Sequence, residues 1–204
     1  MLVPSMSLEE IRREIHKDII IVWRKVRYTV IDLKKANKPI GNRRIVKLLP
    51  YRSTQKNTWL IKIEIDKQGT MLSFLVYYYN NNGLAAIEVF FNSAMMMYFT
   101  THFFKRYNER LNLNCKTTEE LLHVFMNNHY SYRVQKLEQL DSGVHKIFAV
   151  TEKGVGLGTQ LTDRNFIKMN TFITNNMLQG SQVELHAKLK VELDKYLTDI
   201  HRLD

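Results

Sequence analysis

The chain is poor in the residues that staple, kink or break a fold. It has a single cysteine, Cys115, three prolines and eight glycines in 204 residues. One cysteine allows no disulfide within the chain and no cysteine-based zinc site. With no leader in residues 1–18, it points to a reducing, cytoplasmic compartment. Few prolines and glycines argue against long disordered linkers. No apolar run is long enough to span a bilayer: Ile19 to Trp23 is closed by Arg24 and Lys25, so no membrane insertion is expected. Acidic residues are also missing from one place, since none occurs between Leu33 and Lys56.

That last gap sets the charge pattern. The formal net charge is +10, and residues 1–56 hold 14 basic against 5 acidic side chains. The acid-free stretch carries Lys34, Lys35, Lys38, Arg43, Arg44, Lys47, Arg52 and Lys56. One-sided charge of this kind suits a polyanion: nucleic acid first, an acidic protein or a membrane surface second. These eight cations are the candidate nucleic-acid contacts. Ordinary solvation of a charged face is the alternative.

With 45% hydrophobic and 25% charged residues the chain can bury a real core. Ser7-Leu-Glu-Glu10 is a capping-box pattern, and Ile11, Ile15, Ile19, Val22, Val26, Val30 and Leu33 keep a three-four spacing. They predict a long helix to about Lys35, ended by Asn37, Pro39 and Gly41, with an irregular basic arm to Lys56. Strands are expected at 59–65, 71–79 and 85–91, with a hairpin turn at Asn82-Gly83. A helix from about Ser93 or Thr101 to Leu113 follows, with Met95 to Met97 as adaptable core filler. Thr117 to Glu120 opens another helix, and four strands are expected over 132–140, 144–151, 155–161 and 166–174. Turns at Asp141 to Gly143, Lys153-Gly154 and Asp163 to Asn165 separate them. Ser181 to Glu184 reads as a third capping box, before a helix striped by Leu185, Leu189, Leu193, Leu197 and Ile200. The order predicts an α+β fold with mainly antiparallel sheet, a long N-terminal helix, a central helical pair and a C-terminal helix. A single domain over 1–204 is the default, with a sub-division into 1–92 and 93–204 as the alternative.

The pattern closest to chemistry is Thr101-His-Phe-Phe-Lys-Arg-Tyr-Asn-Glu-Arg110. On a helix, the four-residue spacing places His102, Arg106 and Arg110 on one face. Such a face can grip a phosphate and move a proton beside it. It is equally compatible with a polar surface helix in which Glu109 pairs with Lys105 or Arg106. Thr171 and Thr174, near the end of the last strand, could hydrogen-bond a phosphate or simply favour strand. Gly154-Val-Gly-Leu-Gly158 lacks the helix start or the Gly-Lys-Ser/Thr ending of a phosphate loop, and close backbone approach explains it better. Histidines 16, 123, 129, 145, 186 and 201 form no metal-ligand spacing, His145 being the one kept as an active-site spare. No metal and no cofactor is expected. The tyrosines 77–79, with Tyr51 and Trp59, could stack on bases, though a sheet packed on both faces accounts for them too.

The Thr101–Arg110 segment resembles the His-x-x-x-Arg-x-x-x-Arg motif of the barnase/colicin/RelE-like endoribonuclease superfamily of bacterial and phage proteins. The resemblance covers about residues 98–175, in the order His-Arg helix, second helix, then strands ending at Asn170 to Thr174. The region before residue 98 and the last helix lie outside it. It implies metal-free RNA cleavage, with RNA favoured over DNA; an acidic protein partner or inhibitor is the other partner class that the charge allows. A base would take the 2′-hydroxyl proton, and cationic donors would hold the phosphorane charge. His102 would be base or acid, Arg106 and Arg110 the phosphate clamp, and Thr171 or Thr174 the orienting hydroxyl. Two further readings stand beside it: a non-catalytic nucleic-acid-binding or accessory protein, and a partner-binding structural protein. The sequence does not give the oligomeric state.

Overall fold

The computed structural model describes residues 1–38, 43–67, 69–90, 95–128, 132–140, 142–161 and 166–202, the side chains at 161 and 199–202 excepted. The expectations that fall on Pro39, Gly41, Phe91, Ser93, His129, Asp141, residues 163–165 and the side chains of Ile200 and His201 lie outside these. The fold is α+β with mainly antiparallel pairing, and the chain forms two compact units, 1–93 and 94–203. Among the described residues no helix is long and apolar enough to cross a membrane.

The first unit is one helix and four strands. Helix α1 (Leu8–Asn37) starts where predicted: the Ser7 side chain accepts from the Glu10 amide, and Glu10 reaches back to the Ser7 amide at 2.8 Å. Ile11, Ile15, Ile19, Val22 and Val26 are all buried on its inner face. Asp18 shares that face, fully buried, and its Oδ2 accepts from Ser53 Oγ (2.7 Å), Asn57 Nδ2 (2.9 Å) and Trp59 Nε1 (2.8 Å). Asn57 Oδ1 in turn accepts from the Leu2 amide at 2.7 Å, which ties the N-terminus to the same cluster. The strands are β1 (Ile45–Arg52), β2 (Thr58–Ile65), β3 (Thr70–Asn80) and β4 (Gly83–Phe90), antiparallel in the order β1-β2-β3-β4.

Strand β1 corrects the expectation of an irregular arm. Lys34 and Lys35 belong to the last turn of α1, and Ile45 to Arg52 pair in continuous register with Ile65 to Thr58. Leu48, Leu49 and Pro50 break any alternation, and proline normally argues against strand. It is tolerated here because β1 is the outer strand of this unit, where one row of amides has no ladder partner to lose. The β3–β4 hairpin forms one residue earlier than its Asn-Gly signal, with Asn80 opposite Gly83 across Asn81 and Asn82. Trp59, once a stacking candidate, is fully buried against Asp18.

The second unit has strand order β5-β9-β8-β7-β6, with β5 (Met95–Phe99), β6 (Arg133–Gln139), β7 (Val144–Val150), β8 (Val155–Leu161) and β9 (Phe166–Ile173). The methionine run is therefore strand, parallel to β9; the other pairings are antiparallel. Helices α2 (Thr101–Arg110) and α3 (Thr118–Asn128) bring Phe103, Phe104, Tyr107 and Phe125 into one aromatic cluster with Phe99 and Phe172. Helix α4 (Ser181–Arg202) covers the opposite face, its Leu189 and Leu193 packed with Phe148, Val150, Val155 and Ile173. The expected third capping box does not form. Ser181 is already helical, which puts Gly180 (φ 52°) at the cap, and the Gln182 side chain accepts from the Gln179 amide. Glycine in β8 serves close approach: a Cβ at Gly158 would lie 2.2 Å from the Lys168 carbonyl oxygen.

Removing the Asp18 carboxylate strands three buried donors. Asp18→Ala is expected to cost about 3 kcal/mol in urea unfolding followed by tryptophan fluorescence, and Asp18→Asn, which keeps an acceptor oxygen, distinctly less. Tyr107, which burial raises to about 12, adds a pH test. Its folded value lies above the unfolded one, so its contribution is intact below pH 10 and is lost as pH rises toward 12.

Candidate functional site

Helix α2 is pinned to β9 at both ends. At its start, the Thr100 side chain accepts from the Phe103 amide (3.2 Å) and donates to the Asn170 carbonyl (3.1 Å). At its end, Arg110 Nη1 donates to the Phe172 carbonyl. Between them Phe103 and Tyr107 stack edge-on against Phe172, with ring centroids 5.9 and 5.0 Å apart.

The three sequence-selected side chains therefore meet different surroundings. A helix turns about 100° per residue, so each four-residue step overshoots a full turn by about 40°. Over two steps the direction drifts by about 80°, and the rise separates His102 from Arg110 by about 12 Å along the axis. His102 is exposed in the first turn. Arg106 is partly buried: Nη1 bonds Glu109 Oε2 at 2.9 Å, while Nε is buried without a hydrogen-bond partner. Arg110 has turned far enough to hold a β9 carbonyl. The pairing with Glu109 is the ordinary surface arrangement that the sequence also allowed.

Thr171 corrects the proposed constellation. Successive strand residues point to opposite faces. Phe172 faces α2, whereas Ile173 packs on the α4 side. Thr171 shares the face of Ile173, opposite Leu157, which also packs on the α4 cluster. Its hydroxyl is thus across the sheet from His102. Thr174 follows the strand, partly exposed, and donates to Asn176 Oδ1 at the start of a single 3-10 turn. His145 sits in β7 opposite Gln160, with Nδ1 buried and unbonded. Among the described residues, no three His, Cys, Asp or Glu are placed to hold a metal.

The cationic candidates all lie in the first unit and all eight are exposed. They do not form one patch. Lys34 and Lys38 converge at the C-terminal end of α1, where they line a cleft of about 430 Å³ with Asn37, Ile65, Asp66, Lys67 and Gly69. Lys67 was not among the sequence candidates; the turn between β2 and β3 delivers it. Arg44 is engaged by Glu64, whose other oxygen lies 3.7 Å from the buried Lys62 ammonium. Lys47 pairs across from Ile63, on the α1 side of the sheet, and Arg52 projects to the other face. Lys35 and Arg43 are exposed as well, and Lys56 (φ 62°) is exposed in the β1–β2 turn, at the opposite end of β2 from Lys67.

Two features escaped sequence reasoning. One is the Asp18 cluster, whose signal was a carboxylate inside an apolar helix stripe. The other is the outward face of α1, where Ile20, Trp23, Tyr28 and Ile31 are 63%, 39%, 63% and 38% exposed.

If Arg110 serves the strand end, Arg110→Ala should lower stability by about 1–2 kcal/mol in urea unfolding, and His102→Ala should change it by less than about 0.5 kcal/mol. Equal small effects from both would remove the structural role assigned to Arg110. No protein-family model, no curated protein and no solved structure matches the chain.

Proposed function

We propose that this protein binds nucleic acid through the cationic surface of its first unit. The observation that carries the proposal is the concentration of charge there: an acid-free run from Leu33 to Lys56 whose eight cations are all exposed. Lys34, Lys38 and Lys67 bound one cleft, and Lys35, Arg43 and Lys47 are exposed elsewhere on the same unit. Lysine contacts of this kind bind phosphates without reading bases, so affinity should be insensitive to sequence and steeply dependent on salt.

The narrower proposal, metal-free RNA cleavage by the α2 face, rests on the His102–Arg106–Arg110 spacing and the superfamily resemblance. In this fold it would use His102 for proton transfer and Arg106 for the phosphate, without Thr171. Binding needs none of these groups, which separates the two proposals experimentally.

The test is a salt titration of binding to mixed-sequence RNA. A linear fall of log K with log salt is expected, and Lys34→Gln/Lys38→Gln should make the slope shallower by about 1.4–1.8. Retention of wild-type affinity and slope by that variant would sink the assignment of the surface. Incubation of the same RNA with EDTA tests cleavage: products that vanish with His102→Ala support the narrower proposal, and intact RNA rejects it.

A further inference from the structure

The outward side of α1 carries a ridge that meets the cleft only at its C-terminal end, through Lys34 and Lys38. Arg13, Lys17, Ile20, Arg24, Arg27, Ile31, Lys34 and Lys38 follow one another at alternating four- and three-residue steps. That spacing keeps them on one line along the helix. All eight are exposed, and the ridge runs opposite the buried stripe of Ile11, Ile15, Asp18, Val22 and Val26. At about 1.5 Å per residue it is about 37 Å long. It contains no carboxylate. Trp23 and Tyr28 flank it, at 39% and 63% exposure.

The composition of the ridge constrains its occupant. Six cations call for an anionic partner, which excludes a second copy laid ridge to ridge. Between the cations stand Ile20 and Ile31, with an indole and a phenol beside them. A duplex keeps its flat base faces inside the stack and gives the indole and the phenol nothing to cover. A single strand offers phosphates interleaved with flat apolar base faces, which cations and aromatic side chains take up together.

We infer that α1 binds single-stranded nucleic acid along this ridge, with phosphates on Arg24, Arg27 and their neighbours and bases stacked on Trp23 and Tyr28. The inference rests on the nucleic-acid reading above and deepens it: the ligand class is single strand in preference to duplex.

The experiment uses the full chain and fluorescence anisotropy with labelled oligo(U), a matched duplex, and phosphatidylserine/phosphatidylcholine vesicles as the competing surface. Oligo(U) is expected to bind more tightly than the duplex and to quench Trp23, the exposed one of the two tryptophans. Trp23→Ala and Tyr28→Ala should each weaken oligo(U) binding about tenfold, with duplex binding changed less than about twofold. Trp23→Phe, which keeps a stacking ring, should retain most of the affinity while losing the quench. Thermal melts matching the wild type show that the exposed positions leave the fold intact. The inference is overturned if the alanine variants bind oligo(U) like the wild type, if they weaken both ligands equally, or if vesicles quench Trp23 and oligo(U) does not. Binding of RNA by the wild type without any effect of these variants removes this inference alone; no binding of any nucleic acid removes the function reading with it.

Discussion

One carboxylate oxygen organises the first unit. Asp18 Oδ2 takes hydrogen bonds from both ends of the β1–β2 turn and from β2 itself at once, through Ser53, Asn57 and Trp59. These donors reach it only if α1 presents Asp18 to the sheet. The bond set therefore fixes the rotation of a thirty-residue helix about its own axis. What faces the core decides what faces water. With Asp18, Val22 and Val26 turned inward, the line from Arg13 to Lys38 has no choice but to face out. A buried carboxylate is costly unless it is hydrogen-bonded, and three short donors are what make the position tenable.

The second unit turns on β9 in the same way. Alternation along the strand gives Phe172 to the aromatic cluster and Ile173 to α4, and the hydroxyl of Thr171 goes with the latter. The backbone of β9 meanwhile holds α2 at Thr100 and Arg110. The same strand that brings α2 into place separates one of its supposed catalytic partners from it.

Much of this fold can be read from the chain because the signals are local. The Ser7 box opens α1, Thr117 and Glu120 exchange hydrogen bonds before α3, and strands 6 to 9 fall near their turn residues. What cannot be read is what pairing over distance decides. Pro50 and the doubled Leu48-Leu49 hide β1, which exists because β2 stands beside it. The methionines of β5 carry no alternation and are strand because β9 runs parallel to them. Candidate chemistry fared likewise. The four-residue spacing on α2 was visible, but not the angular drift that sends Arg110 to a carbonyl, nor the strand parity that sends Thr171 across the sheet. For the cations, the sequence showed their number and density, and only the fold could add Lys67 to Lys34 and Lys38.

The parallel pairing of β5 with β9 has a consequence in time. Met96 lies opposite Phe166, and the Thr100–Asn170 bond beside it joins residues 70 apart. Loops of that length close slowly, and the pairing must wait until the chain beyond β9 has left the ribosome. The first unit's hairpins join neighbours in the chain, and all of them precede residue 91. During synthesis the cation-rich half of this protein is thus complete while β5, α2 and α3 are still waiting for the strand that orders them.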